Sequence, residues 1–256
     1  MTMFSCLLRS ILVSLLLASS PNAFTAERAL YIAAASDLTF CLPDLEQAFK
    51  RQFPNLDIKT SFGASGNFVA QISKGAPFDI FMSADVRYSE ALIQAGLAEA
   101  DTLTHYATGH IALWSVHDLP DINNGLMILT RPQFRRIAIA NPEHAPYGQA
   151  ALRALESAGV WAAIERKIVR GENIAQTMQF VQTGNADIGI VAVSLLKQPA
   201  LAGTRYFEIP QQYYPPIKQT VVVTRRGANW QVARQFVSFL ATPEAQDIFA
   251  RFGLRR

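Results

Sequence analysis

Cysteine is nearly absent from this chain, with only Cys6 and Cys41 among 256 residues. Cys6 lies before a short apolar run at the start, so removal of that leader would leave Cys41 alone. No intramolecular disulfide could then form, and stability must come from a packed core. Cys41, between Phe40 and Leu42, reads as a small buried apolar residue, with no adjacent base to make it a catalytic thiol. Charge is sparse as well: 17% of residues are charged and the formal net charge is +3. Basic residues are scattered apart from the pairs Arg135-Arg136, Arg225-Arg226 and Arg255-Arg256, which excludes a nucleic-acid surface. The apolar run from Ile11 to Ala18 falls well short of the ~20 residues a membrane helix needs.

The enzymatic signatures that would be most visible are also missing. No Gly-x-x-x-x-Gly-Lys-Ser/Thr phosphate loop and no His-Glu-x-x-His occurs. Ser65 fails the nucleophile-elbow pattern, because the residue two positions on is Asn67 and not glycine. His105, His110, His117 and His144 show no metal-ligand spacing; a site from His110, His117 and Asp118 is conceivable, but these read as surface residues. An exported enzyme remains the alternative from another class, without a motif to support it.

What is present begins with "MTMFSCLLRSILVSLLLASSPNAFTA", residues 1–26. One positive charge, an apolar run and small residues form the layout of a secretory signal peptide, cleaved between Ala23 and Ala26. An exported, periplasmic protein is the expectation. Half of the residues are apolar, ample for a core. Short apolar runs then alternate with helical patterns: a strand over Ala29–Ala34, a helix through Leu42, Leu45 and Phe49, and strands in "LDIKTSF" and "FDIFMSA". Further on, "HIALWSV", "RRIAIA" and the run from Ile188 to Val193 continue the alternation. A helix over about Trp230–Leu240 precedes another that starts with Thr242 as cap and Pro243 in its first turn. This order predicts an α/β fold, mainly parallel sheets with helices on both faces.

One feature recurs where strands give way to helices: "AAASDLTF", "SFGASGNF", "NPEHAPYGQAA" and "VRGENIAQ" put small or polar residues at each turn. Taken singly, each is ordinary punctuation. In parallel α/β sheets, however, ligands sit at the carboxyl ends of strands. There the free N–H groups and dipole of a helix N-terminus favour anions. Several such turns, with the hydroxyls of Ser36 and Ser65, could hold a dehydrated oxyanion without lysine or arginine.

The segments "AAASDL", "SFGASGNFVAQISKGAPFDIFMSAD", "NPEHAPYG", "GENIAQTMQFVQTGNADIGIVA" and "PEAQDIFARFG" resemble, in the same order, the periplasmic molybdate-binding proteins of ABC transporters. The resemblance implies the type II periplasmic-binding-protein fold, two lobes with a ligand cleft between them. Lobe 1 would comprise residues 27–107 plus 221–256 and lobe 2 residues 108–220. It further implies capture of molybdate or tungstate by neutral hydrogen bonds, with no cofactor, and delivery to a membrane permease by a monomer. By the same resemblance Ser36 and Ser65 give hydroxyl and backbone donors, while Tyr147 and Ile174 give backbone N–H groups. Gly66 joins as a second-tier contributor. Ala192 stands where some members carry a ligand tyrosine, whose hydroxyl Tyr147 could replace from the opposite loop. Asp37 would be repelled by a dianion, so its side chain is expected to turn away, either leaving only its N–H to the site or capping a helix.

Fixed donors select a fully deprotonated anion, because an unpaired buried donor costs on the order of 1–3 kcal/mol. Hydrogen phosphate would need a carboxylate acceptor, and sulfate would have to be excluded by size; binding of either oxyanion is the alternative within this class. An amino-acid ligand would call on Arg170 and a ferric ion on Tyr213-Tyr214, and neither has the further partners such ligands need.

Overall fold

The structure, a computed structural model, describes residues 28–256, so the signal peptide expected over residues 1–26 lies outside the described residues. Strand β1 (Leu30–Ala35) leads through a 3-10 turn (Ser36–Leu38) into α1 (Leu42–Lys50). Then follow β2 (Ile58–Gly63), α2 (Ser65–Ser73), β3 (Ile80–Ser83), α3 (Val86–Gln94) and β4 (Thr104–Gly109). A second run holds β5 (Ile111–Trp114), β6 (Ile137–Ala140), α4 (Pro146–Ser157), α5 (Trp161–Ile164) and β7 (Ile168–Gly171). It continues with α6 (Ile174–Gln182), β8 (Ile188–Ala192), α7 (Val193–Leu196) and β9 (Tyr206–Glu208). The chain ends with β10 (Ile217–Val223), α8 (Gln231–Phe239) and α9 (Pro243–Arg251).

Two five-stranded sheets result, in the orders β2-β1-β3-β10-β4 and β7-β6-β8-β5-β9. Within the α/β architecture the parallel share is smaller than the strand-helix alternation suggests. The pairs β1–β2, β1–β3, β6–β7 and β6–β8 are parallel, whereas β10 and β5 run against both of their neighbours. The parallel strands follow one another through helices, α1 and α2 in the first sheet and α4 to α6 in the second, as parallel connections require. The antiparallel strands are those next to the passages between sheets. The chain leaves the first sheet through His110 alone, between β4 and β5, and returns between Glu208 and Ile217. These two passages run side by side, since Gly109 pairs with Ile217 and Ala112 with Glu208.

Apolar clusters cover both faces of the first sheet. On one, Phe49 of α1 meets Phe236 of α8 edge to face, ring centres 5.1 Å apart. On the other, Phe68 and Leu92 pack over Phe81. Cys41 is free and buried in the first of these clusters. The third cluster belongs to the second sheet, yet includes Ala35, the last residue of β1, and Ala64 and Ala84, which follow β2 and β3. The carboxyl ends of the two sheets are thereby packed against one another. Thr242 caps α9 as its sequence suggested, accepting from the Ala245 N–H at 3.3 Å, with Pro243 in the first turn. Among the described residues no helix is long and apolar enough to cross a membrane.

Candidate functional site

Where the sheet ends meet lies a small pocket, its volume about 10 Å³, roughly what one water needs. Its walls come from Ala35 to Asp37 at the end of β1, Gly63 to Ser65 at the end of β2, Ala84 after β3, Ala145 to Tyr147 before and within α4, and Asn173-Ile174 at α6. It is smaller than the ~300–1,000 Å³ usual for organic ligands, and neither lysine nor arginine lines it. Three helices of nine or more residues, α2, α4 and α6, begin at this wall. Their first N–H groups have no acceptor inside the helix, and their dipoles favour negative charge. Proline at the start of α4 makes Tyr147 the first residue of that helix able to offer an N–H.

Ser36, Ser65, Tyr147 and Ile174 are thus brought to one pocket. Ser65 is fully buried, and its Oγ accepts from the Ala84 N–H at 3.0 Å. With that acceptor position filled, the hydroxyl hydrogen is directed elsewhere. The Ser36 hydroxyl donates to Asn173 Oδ1 at 3.1 Å and accepts from the Ala175 N–H at 3.4 Å. Asn173 was not foreseen as a site residue, although Asn-Ile-Ala-Gln is a recognisable capping pattern. Its Oδ1 also caps α6, accepting from Gln176 N–H at 3.0 Å, while Gln176 Oε1 accepts from Glu172 N–H at 2.7 Å.

Gly66 and Ala192 stand apart from the pocket. The Gly66 N–H is spent on the His144 carbonyl at 3.0 Å, a further tie between the sheets. Ala192 is buried at the end of β8 and does not line the cavity.

Asp37 caps no helix; its carboxylate is held across the sheets. Oδ2 accepts from the Tyr147 hydroxyl at 2.9 Å and from Gln219 Nε2 at 2.5 Å, while the Asp37 carbonyl accepts from Ser194 at 2.8 Å. Tyr147's hydroxyl is therefore occupied by Asp37 rather than free to replace a tyrosine missing at Ala192. Gln219 is oriented by Tyr106, which donates to its Oε1 at 2.7 Å, and also donates to the Tyr147 oxygen at 2.9 Å. Gly109 leaves room for this cluster, since a Cβ there would lie 2.2 Å from the Tyr147 oxygen. Gln219 gives no sequence signal, being one of three consecutive polar residues, Lys218 to Thr220, at the start of β10. Burial pushes the Asp37 carboxyl up to about 7, outweighing the hydrogen bonds from Gln219 and Tyr147 that oppose the shift. Burial and the neighbouring Asp37 raise the Tyr147 phenol well above its usual range, which keeps it a donor.

Other sequence candidates do not assemble into a site. His110 approaches Glu208 at 3.7 Å, and Asp118 faces Arg205 at 3.5 Å. Among the described residues no three His, Cys, Asp or Glu side chains converge to hold a metal.

Residues 30–255 match the family described as bacterial extracellular solute-binding protein. The chain is similar to the molybdate-binding protein ModA of Azotobacter vinelandii, 36% identical over 223 residues, covering 87% of this chain and 88% of that protein. It is 37% identical to ModA of Rhodobacter capsulatus over 193 residues, 75% of each chain. Among solved structures, the Azotobacter vinelandii periplasmic molybdate-binding protein superposes with a TM-score of 0.84 at 32% identity, covering 89% of this chain and 99% of that one.

Proposed function

The chain belongs to the bacterial extracellular solute-binding proteins, and from that premise we propose that it captures molybdate, with tungstate as a second ligand, and passes it to an ABC permease. The observation that carries this reading is the pocket itself: a small cleft with no lysine or arginine in its wall, into which three helix starts and Ser65 converge. A tetrahedral dianion fits that chemistry. It accepts from every donor and carries no proton that would need an acceptor. Neutral donors held in place discriminate by protonation state and size rather than by net charge. Capture would occur in the periplasm by a monomer, the two sheets being the cores of the two lobes, one built from about residues 27–109 plus 217–256 and the other from the segment between. This differs by a few residues from the expected 107 and 221 because β4 and β10 belong to the first sheet. In this reading the oxyanion is cargo, and no resident cofactor is required.

Relatives named as molybdate-binding support the choice of ion. Calorimetric titration with molybdate, tungstate, sulfate and phosphate tests it. Tight binding of the first two alone is the expected result. Binding of sulfate or phosphate in their place would move the protein to another oxyanion, and silence with all four would sink the oxyanion reading.

A further inference from the structure

Asp37 poses a difficulty for an anion pocket. Among the described residues, its Oδ1 is the one buried side-chain oxygen or nitrogen with no hydrogen-bond partner. Buried polar atoms are otherwise almost always paired, and an orphan calls for an explanation. The residue is only 1% exposed and forms part of the pocket wall. Its other oxygen already accepts two hydrogen bonds, from Tyr147 and Gln219.

Among the described residues no lysine, arginine or histidine hydrogen-bonds to this carboxylate. The groups facing Asp37 from the elements packed around it are the phenols of Tyr106 and Tyr147, the Cys41 thiol, the Gln219 amide and the Ser194 hydroxyl. Helices α6 and α7, which pack on the 3-10 turn carrying Asp37, contain no charged residue. Lys59 on β2 and Lys218 on β10 are exposed, and neither donates to the carboxylate. Asp44 on α1 is paired with Arg251 at 3.2 Å. A carboxylate and a dianion side by side in this setting would repel each other strongly.

We propose that Asp37 takes up a proton when the oxyanion enters, and that the resulting carboxylic acid donates a hydrogen bond to it through Oδ1. Oδ2 keeps its role as acceptor for Tyr147 and Gln219, so the two oxygens divide the work and the orphan gains a partner. The proton comes from solvent and returns there when the anion leaves; no covalent bond to the anion is made. This inference rests on the molybdate reading and makes it pH-dependent. Burial already holds the empty site's carboxyl near neutrality, and a bound dianion would raise it further. Above pH 7, affinity should fall by up to about tenfold per pH unit, the slope set by one proton gained. Molybdate, fully deprotonated in this range, adds no titration of its own.

The test is calorimetric titration of molybdate at pH 8 in Hepes and in Tris, whose ionisation heats differ, on the wild-type protein and Asp37→Asn. Close to one proton should be taken up per anion by the wild type and none by the variant, whose affinity should be flat from pH 7 to 9. The ¹³C resonance of the Asp37 carboxyl in the wild type gives a second reading that does not depend on the variant folding. It should move to the protonated position when molybdate is added at pH 8. Tight binding without proton uptake, equal uptake by Asp37→Asn, or an unmoved carboxyl resonance would overturn the inference and leave the molybdate function standing. Phosphate binding that strengthens with pH would make Asp37 an acceptor and overturn it as well. No binding of molybdate by the wild type between pH 5 and 9 would remove the function, and the inference with it.

Discussion

The Ser36 hydroxyl donates to Asn173 Oδ1 at 3.1 Å, tying the end of β1 in one sheet to the cap of α6 in the other. Asn173 therefore serves two masters, and substitutions can separate them. Asn173→Ala removes the cap and should lower stability by about 1 kcal/mol. Asn173→Asp keeps a good cap and places negative charge at a helix start, where the dipole welcomes it. Its melting temperature should stay near that of the wild type. Molybdate affinity should nonetheless fall by about tenfold or more, because like charges a few ångströms apart near a protein surface repel by several kcal/mol. Thermal unfolding and calorimetry on the same samples would read the two effects separately.

Ser65→Ala should weaken molybdate binding by about 10- to 100-fold, the worth of one lost buried donor. It also strips the Ala84 N–H of its acceptor, so a modest loss of thermal stability should accompany the loss of affinity. Ser65→Thr, which keeps the hydroxyl but adds a methyl to a fully buried position, should retain stability less well than binding chemistry alone would suggest. Titration and melting of the two variants side by side check this.

Asp37 gives a pH prediction for the empty protein. Its carboxyl rises from an ordinary 3.8 to about 7 on folding. Between those values the folded state holds more protons than the unfolded one, so stability falls as pH rises through the window and levels off above it. The slope from this group is at most about 1.4 kcal/mol per pH unit. Asp37→Asn lacks that slope, so melting curves of the two proteins should diverge from pH 4 to 7 in favour of the variant.

Much of this was legible beforehand, for identifiable reasons. Strand-helix alternation and the Thr242-Pro243 start are local patterns, and the structure keeps them. Ser36, Ser65, Tyr147 and Ile174 each sit at a turn where a strand hands over to a helix, and those turns share one end of each sheet. β4 is not legible as a strand of its own, because "THYATG" lacks a clean alternation and owes its place to pairing with β10. Gln219 and Asn173 were not legible as site residues. What matters in each is a partner more than 70 residues away: Tyr147 for the first and Ser36 for the second. Gly66 looked available from sequence; only the tertiary contact with His144 shows its N–H to be taken.

Gly148→Ala should be among the most damaging small substitutions. A Cβ at that position would lie 2.2 Å from the Ala140 carbonyl oxygen, a backbone atom that cannot rotate aside. To relieve the clash, α4 must draw back from β6 and carry Tyr147 with it. Loss of molybdate binding, together with a melting temperature lower by about 2–4 °C for every 1 kcal/mol lost, is the expected outcome.

The side-by-side passages between the sheets set how the cleft can be entered. One is a single residue, His110, and the other joins at Ile217, the pairing partner of Gly109. Two adjacent tethers leave one axis about which the halves can swing, and displacement grows with distance from it. Gln219 lies two residues beyond the second tether and on the same half as Asp37, so their bond rides with that half. Tyr147 is on the other half. An arriving ion would therefore meet an aspartate still anchored on one side and released on the other, with the tyrosine returning as the leaves swing shut.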